Sequence, residues 1–336
     1  MATELSTPAV PSPARGTQLP VVALRGVVLP VRDPQVVHAF YEPILRAANG
    51  TWTEEPDGLT FTTRSQQIKL VRERWPKALA EAGQHLALRV PNLQARPLAD
   101  QLQAAGATVE WWHEDYPRER ELAPYLTDPS GNRVQLVPSS EYTMPIDHVA
   151  LEFVDLEWAE DFYVGVLGGR VDYYHGYSTD SGVEVKAWLE GRDPVAPWTR
   201  YSRFSFRSRA DEAHATPQLF VDFGGPRLAL FLERSHLQEP AEDLVRGTPR
   251  LIFRTSATAS EAAAHLAGPG RALVAKRFRG RTIPFEIDGD RVFVRAPSGN
   301  FLELECAPAS TPSPLAGEGW GEGDRPRPDD PGRRQL

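Results

Sequence analysis

The side chains of this chain that could do chemistry sit at the start of short alternating strands. His85-Leu86-Ala87-Leu88-Arg89-Val90, His148-Val149-Ala150-Leu151-Glu152-Phe153 and Arg250-Leu251-Ile252-Phe253-Arg254-Thr255 each open on a residue able to meet a metal ion or an anion. A fourth strand, Phe301-Leu302-Glu303-Leu304, carries a carboxylate at its third position. Imidazole and carboxylate together can ligate a divalent cation. Arg250 cannot join them, because a guanidinium has no lone pair to donate and its charge repels a dication. Arg250 can instead pair with Glu303 or clamp an anionic substrate in bidentate fashion.

These residues need a scaffold, and the sequence shows one by repetition. The turn Pro-Ser-Gly-Asn occurs at residues 129–132 and again at 297–300, each time followed by a short alternating strand. Proline fixes φ at one turn position, while Gly and Asn tolerate positive φ at the next ones. Each of the four opening strands, counting Gly26-Val27-Val28-Leu29-Pro30-Val31, precedes a stretch of helical periodicity that ends at a glycine. Asp33 with Pro34, Asp155, and a Ser/Thr cluster near residue 256 supply helix starts. Phe40-Tyr41 and Phe162-Tyr163 repeat within the first and third helices. About three further strands follow each helix, so the unit reads βαβββ and occurs four times. One parity of every first strand is apolar (Val27, Leu29, Val31; Leu86, Leu88, Val90; Val149, Leu151, Phe153; Leu251, Phe253) and packs against the helix. The opposite parity, which holds His85, His148, Arg250 and Glu303, faces the side where a ligand would lie.

Composition bounds the rest. The 336 residues suit about two domains. A net charge of −8 leaves no basic excess for a nucleic-acid footprint. The single cysteine, Cys306, excludes an internal disulfide and any zinc site that needs two thiolates from this chain. No apolar run is long enough to span a bilayer, and the N-terminal stretch has no signal-peptide core. Residues 1–19 read as a disordered leader and 309–336 as a disordered Pro/Gly-rich tail. A cytoplasmic protein that acts on a small molecule, with no nucleic-acid or membrane partner, as monomer or homodimer, is the expectation. The aromatic stretch Tyr173-Tyr174-His175-Gly176-Tyr177 begins a long insertion in the third unit that could roof a cup or seal one cup against another.

His85 to Val90, the helical stretch after it, and Asp128-Pro129-Ser130-Gly131-Asn132 with its closing strand resemble the vicinal oxygen chelate superfamily. That superfamily includes glyoxalase I, bleomycin- and fosfomycin-resistance proteins and extradiol dioxygenases. The resemblance covers roughly residues 20–308. It implies an α+β fold in which paired βαβββ modules form cup-shaped mixed sheets with helices outside. By default modules one and two form an N-terminal domain (20–140) and modules three and four a C-terminal domain (144–308), although a swapped pairing is possible. The resemblance also places metal ligands on the first strand of each module and on the strand after the turn. In the N-terminal cup those positions hold Gly26, His85, Gln135 and Lys69, a poor cation site where no metal is expected. In the C-terminal cup they hold His148, Arg250 and Glu303. His148 and Glu303 match the ligand types for one divalent ion (Fe, Mn, Zn or Ni), and Arg250 stands where a second histidine is usual. Either another residue such as His175, His214, Glu152 or Glu305 completes the set, or the metal is gone and Arg250 pairs with Glu303 or holds an anionic substrate. His85, Gln135, Tyr174 and His175 are the candidate substrate contacts. The implied activity is that of a metal-dependent dioxygenase or glyoxalase-type lyase on a small aromatic or vicinal-oxygen substrate. The alternative is a metal-free, drug-sequestering type of binder.

Overall fold

The computed structural model describes residues 18–80, 84–110, 124–153, 159–175, 218–232, 245–270, 283–297 and 299–308. The expected leader and tail lie almost wholly outside these residues, as do Asp155, His214 and most of the insertion. Ahead of β1, Leu19 is buried in the core and its N–H donates to the Val166 carbonyl at 2.9 Å.

Four βαβββ modules are present. Module 1 comprises β1 (Val21–Val31), α1 (Pro34–Leu45), β2 (Thr51–Glu55), β3 (Gly58–Thr62) and β4 (Gln67–Arg72). Module 2 comprises β5 (His85–Pro91), α2 (Ala95–Ala104), β6 (Thr108–Glu110), β7 (Tyr125–Thr127) and β8 (Arg133–Ser139). Module 3 comprises β9 (Ile146–Phe153), a π-helix (Glu160–Val166), β10 (Arg170–His175), β11 (Gln218–Asp222) and β12 (Arg227–Leu232). Module 4 comprises β13 (Arg250–Thr258), α3 (Ala259–Ala267), β14 (Phe285–Asp288), β15 (Arg291–Arg295) and β16 (Phe301–Ala307). Local chemistry sets the helix starts. Asp33 accepts from the Gln35 N–H with Pro34 at the first helical position, and Thr258 and Glu261 form a reciprocal capping box.

Modules 1 and 2 do not pair with each other, and neither do modules 3 and 4. One sheet, sheet A, runs β14-β15-β16-β13-β1-β4-β3-β2, and the other, sheet B, runs β10-β11-β12-β9-β5-β8-β7-β6. Module 1 therefore pairs with module 4, and module 2 with module 3, through antiparallel contacts of their first strands. Each sheet draws one module from residues 20–140 and one from 144–308, in place of the default pairing. The physical reason is that all four first strands carry the same alternation and offer equivalent edges. Patterning thus specifies the module but not its partner.

The apolar parities behave as read. Val27, Leu29, Leu86, Leu88, Val149, Phe153, Leu251 and Phe253 are buried in one core that also takes in residues of α1, α2, the π-helix and α3. This core joins the helix-facing sides of both sheets, so the cup faces lie on the sides turned away from it. The repeated turns tie the sheets across this core. Asn132 donates to the Pro30 carbonyl at 3.3 Å, Tyr41 donates to Asp128 at 3.2 Å, and the Ser130 hydroxyl accepts from the Arg32 N–H at 3.0 Å. In the second copy Asn300 donates to the Glu152 carbonyl at 3.0 Å. The Pro-Ser-Gly-Asn repeat is thus a clamp by which module 1 docks on module 2 and module 3 on module 4, while the strands of each pair belong to different sheets. Gln66 adds a further tie, donating to the Ile146 carbonyl and accepting from its N–H.

Candidate functional site

Sheet B holds the densest chemistry among the described residues. Its two central strands, β5 and β9, set His85 opposite Ala150 and Ala87 opposite His148, with both imidazoles on the cup face. Their Nε2 atoms lie 3.0 Å apart. A β-bulge supports the pair. The register passes from Ala87–His148 to Leu88–Ile146, so Asp147 is the extra residue on β9. A bulge turns two successive side chains to one face, which simple alternation forbids. Asp147 thereby accepts from His148 Nδ1 at 2.8 Å and from Arg89 Nε at 2.8 Å, and Arg89 also reaches Glu141 at 3.3 Å. Burial works to raise the Asp147 pKa, but the His148 and Arg89 contacts outweigh it and hold the carboxyl at about 2. An ionised Asp147 keeps a proton on His148 Nδ1 and leaves its Nε2 lone pair directed at His85.

The surroundings are aromatic and apolar. His85 meets Tyr125 edge-on at 5.1 Å and Phe231 at 6.0 Å, and His148 meets Phe220 at 6.0 Å. Ala150, Phe220 and Ala229 form a small cluster separate from the main core, with Phe231 against it. Burial pushes the Tyr125 phenol up to about 12, against the pull of the Arg133 guanidinium that lies 4.3 Å over its ring. Gln135 is in register with Ala87 and Tyr125, and its Oε1 is buried with no hydrogen-bond partner among the described residues.

His85, His148 and Gln135 thus come together, although His85 and Gln135 were assigned to an N-terminal cup without metal and His148 to a C-terminal cup with one. Tyr174 and His175 stand on β10 of the same sheet, opposite Leu219 and Gln218, and their side chains lie outside the described part of the structure. His148 and Glu303 do not share a concavity, because β9 belongs to sheet B and β16 to sheet A. Glu303, 1% exposed, accepts from Arg250 Nε at 2.9 Å and from Arg291 Nη1 at 3.3 Å. The geometry is the Arg250–Glu303 pair that sequence reasoning held open. Among the described residues no group of three or more His, Cys, Asp or Glu side chains is placed to hold a metal ion.

The two cups can be compared position by position through their registers. His85, Gln135, His148 and Ala229 of sheet B correspond to Arg250, Glu303, Gly26 and Lys69 of sheet A. No imidazole could replace Gly26, since a Cβ there would come 2.0 Å from the Gln67 carbonyl oxygen. Asp147 was missed by sequence reasoning. Its only signal was its place next to His148, and nothing in an alternating run marks a bulge. Cys306 is buried, its thiol pushed up to about 11 by burial and by Asp290, and it takes no part in either cup.

Residues 26–137 match the family model for the glyoxalase-like domain, a stretch that spans modules 1 and 2. Among solved structures, glyoxalase I from Zea mays is 14% identical, with 84% of this chain and 91% of that chain covered and a TM-score of 0.55. A putative dioxygenase from Bacillus subtilis subsp. subtilis str. 168 is 11% identical, with 87% of each chain covered and a TM-score of 0.50. Likeness at these identities establishes the fold. No curated protein matches the chain significantly. No helix of the described residues is long and apolar enough to cross a membrane.

Proposed function

We propose, for a chain whose two mixed eight-stranded sheets carry the vicinal oxygen chelate fold, that the cup of sheet B holds one divalent cation at His85 and His148. There it acts on a small substrate with an apolar or aromatic body and adjacent oxygens. The observation that carries this reading is the 3.0 Å approach of the two Nε2 atoms, with Asp147 bonded behind one of them. Two nitrogens that close can both reach one ion through bonds of about 2.1 Å. The carboxylate behind His148 fixes its ring and tautomer. Gln135 Oε1, buried and without a partner among the described residues, is a neutral third donor.

A bound cation would supply Lewis-acid polarisation of substrate oxygens. The chain's own residues do the rest. His85 and His148 orient the site, and Asp147 with Arg89 holds His148 in one tautomer. Phe220, Phe231 and Tyr125 exclude water and offer ring faces to a planar substrate. Tyr125 keeps its proton at neutral pH, so its hydroxyl can donate to a developing negative charge. Glyoxalase-type isomerisation or lysis and oxygen-dependent ring chemistry are the two reaction classes that the fold's relatives suggest.

One observation favours a second reading, metal-free binding. The same 3.0 Å contact is a good hydrogen bond, His85 Nε2–H to His148 Nε2, and among the described residues no third His, Cys, Asp or Glu is placed to hold an ion with the pair. Elemental analysis of protein grown in metal-supplemented medium separates the readings. About one Fe, Mn, Zn or Ni per chain, lost in both His85→Ala and His148→Ala while the fold is kept, is the result expected. Metal-free wild-type protein, or metal retained by both variants, overturns the cation.

A further inference from the structure

The cup of sheet A carries a different charge pattern, and nothing in the site above uses it. One row crosses the sheet through registered neighbours: Arg295, Phe301, Arg250, Val28, Lys69 and Thr60. That row holds three cations and no carboxylate. Glu303, in the next row, is already held between Arg250 and Arg291. Glu305 accepts from Gln67 at 2.6 Å and lies 3.7 Å from Arg254, and Glu55 is held by Thr60 at the far end. Half-buried Lys69 makes no hydrogen bond or ion pair among the described residues. Arg250 gives Nε to Glu303 and Nη1 to the Gly247 carbonyl, and its Nη2 has no partner among them. The Arg295 guanidinium lies 3.9 Å over the Phe301 ring, and its Nε is buried without a partner.

We propose that this second cup binds a small oxyanion, held between Lys69 and Arg250 with its apolar part against Phe301. The two cationic strands stand roughly 10 Å apart across β1, at about 4.8 Å per strand. Two long side chains can therefore reach one carboxylate or phosphate from opposite sides of β1. The arginine fork suits such a group geometrically, and the lysine adds a point charge. The part-exposed Phe301 favours a carboxylate on an aromatic ring over a bare phosphate. The corresponding row of sheet B has His85, Ala150 and Ala229 where this row has Arg250, Val28 and Lys69, so the two cups would select ligands of different charge. The proposal does not depend on the metal reading of sheet B.

Isothermal titration of the full chain with sodium benzoate and, separately, with inorganic phosphate tests it. Saturable binding of one equivalent by wild type is the expected result. Lys69→Met should weaken it by about tenfold or more, the worth of one charge-assisted bond, with its own melting temperature unchanged. Lys69→Gln should behave alike, and His148→Ala should bind as wild type does. Benzoate binding alone identifies a carboxylate with an apolar body, and phosphate binding alone identifies a site read by charge. Binding of neither, binding that survives both lysine substitutions, or binding abolished by His148→Ala overturns the proposal.

Discussion

Replacing Asp147 by Asn should remove a pH-dependent part of the protein's stability. In the folded chain the Asp147 carboxyl is held at about 2 instead of 3.8, because the His148 and Arg89 contacts outweigh the cost of burial. Its side chain is 19% exposed, so solvent screening takes little from the interaction. At about 1.4 kcal/mol per pKa unit, the ionised carboxylate favours the folded state by about 2 kcal/mol. The folded pKa is the lower one. The contribution is therefore complete above about pH 4 and is lost as pH falls from there through about 2. Urea unfolding of wild type and Asp147→Asn at pH 6, 5, 4 and 3 reads it directly. The stability gap between the two should narrow by roughly 1 kcal/mol between pH 6 and pH 3, with the remainder lost below. Parallel stability curves across this range would refute the account of Asp147 as a carboxylate gripped from both sides.

Asn132→Ala should cost about 3 kcal/mol in equilibrium unfolding, since it strands the Leu79 N–H, the Pro30 carbonyl and one Asp128 oxygen around a fully buried side chain; a loss under about 1 kcal/mol would mean the turn is no clamp. Gly26→Ala should destabilise by at least the ~1–3 kcal/mol of an overpacked core, because the new methyl meets backbone and not a movable side chain, and circular dichroism melting of the variant checks it.

Much of this was legible before any coordinates. The Val27–Leu29–Val31 and Leu302–Leu304 alternations place their faces because a strand has period two and one side must be buried. Asp33-Pro34 and Thr258 start helices through hydrogen bonds local to a few residues. The choice of sheet partner was not legible, since His85 could pair with a neighbour on any of three equivalent edges. That one ambiguity moved His148 away from Glu303 and beside His85. The bulge at Asp147 was hidden because an inserted residue changes the facing of a side chain without changing composition. The third helix shares Phe162-Tyr163 with its counterpart, yet it winds as a π-helix, a difference that the apolar pattern does not encode.

The most direct test of the central claim compares divalent-metal affinity in His85→Ala and Glu303→Gln, measured by calorimetry on metal-stripped protein whose fold has been checked. If the two histidines share one cup and the glutamate lies in the other, His85→Ala abolishes tight binding while Glu303→Gln binds as wild type does. Retained affinity in His85→Ala together with lost affinity in Glu303→Gln would contradict the account.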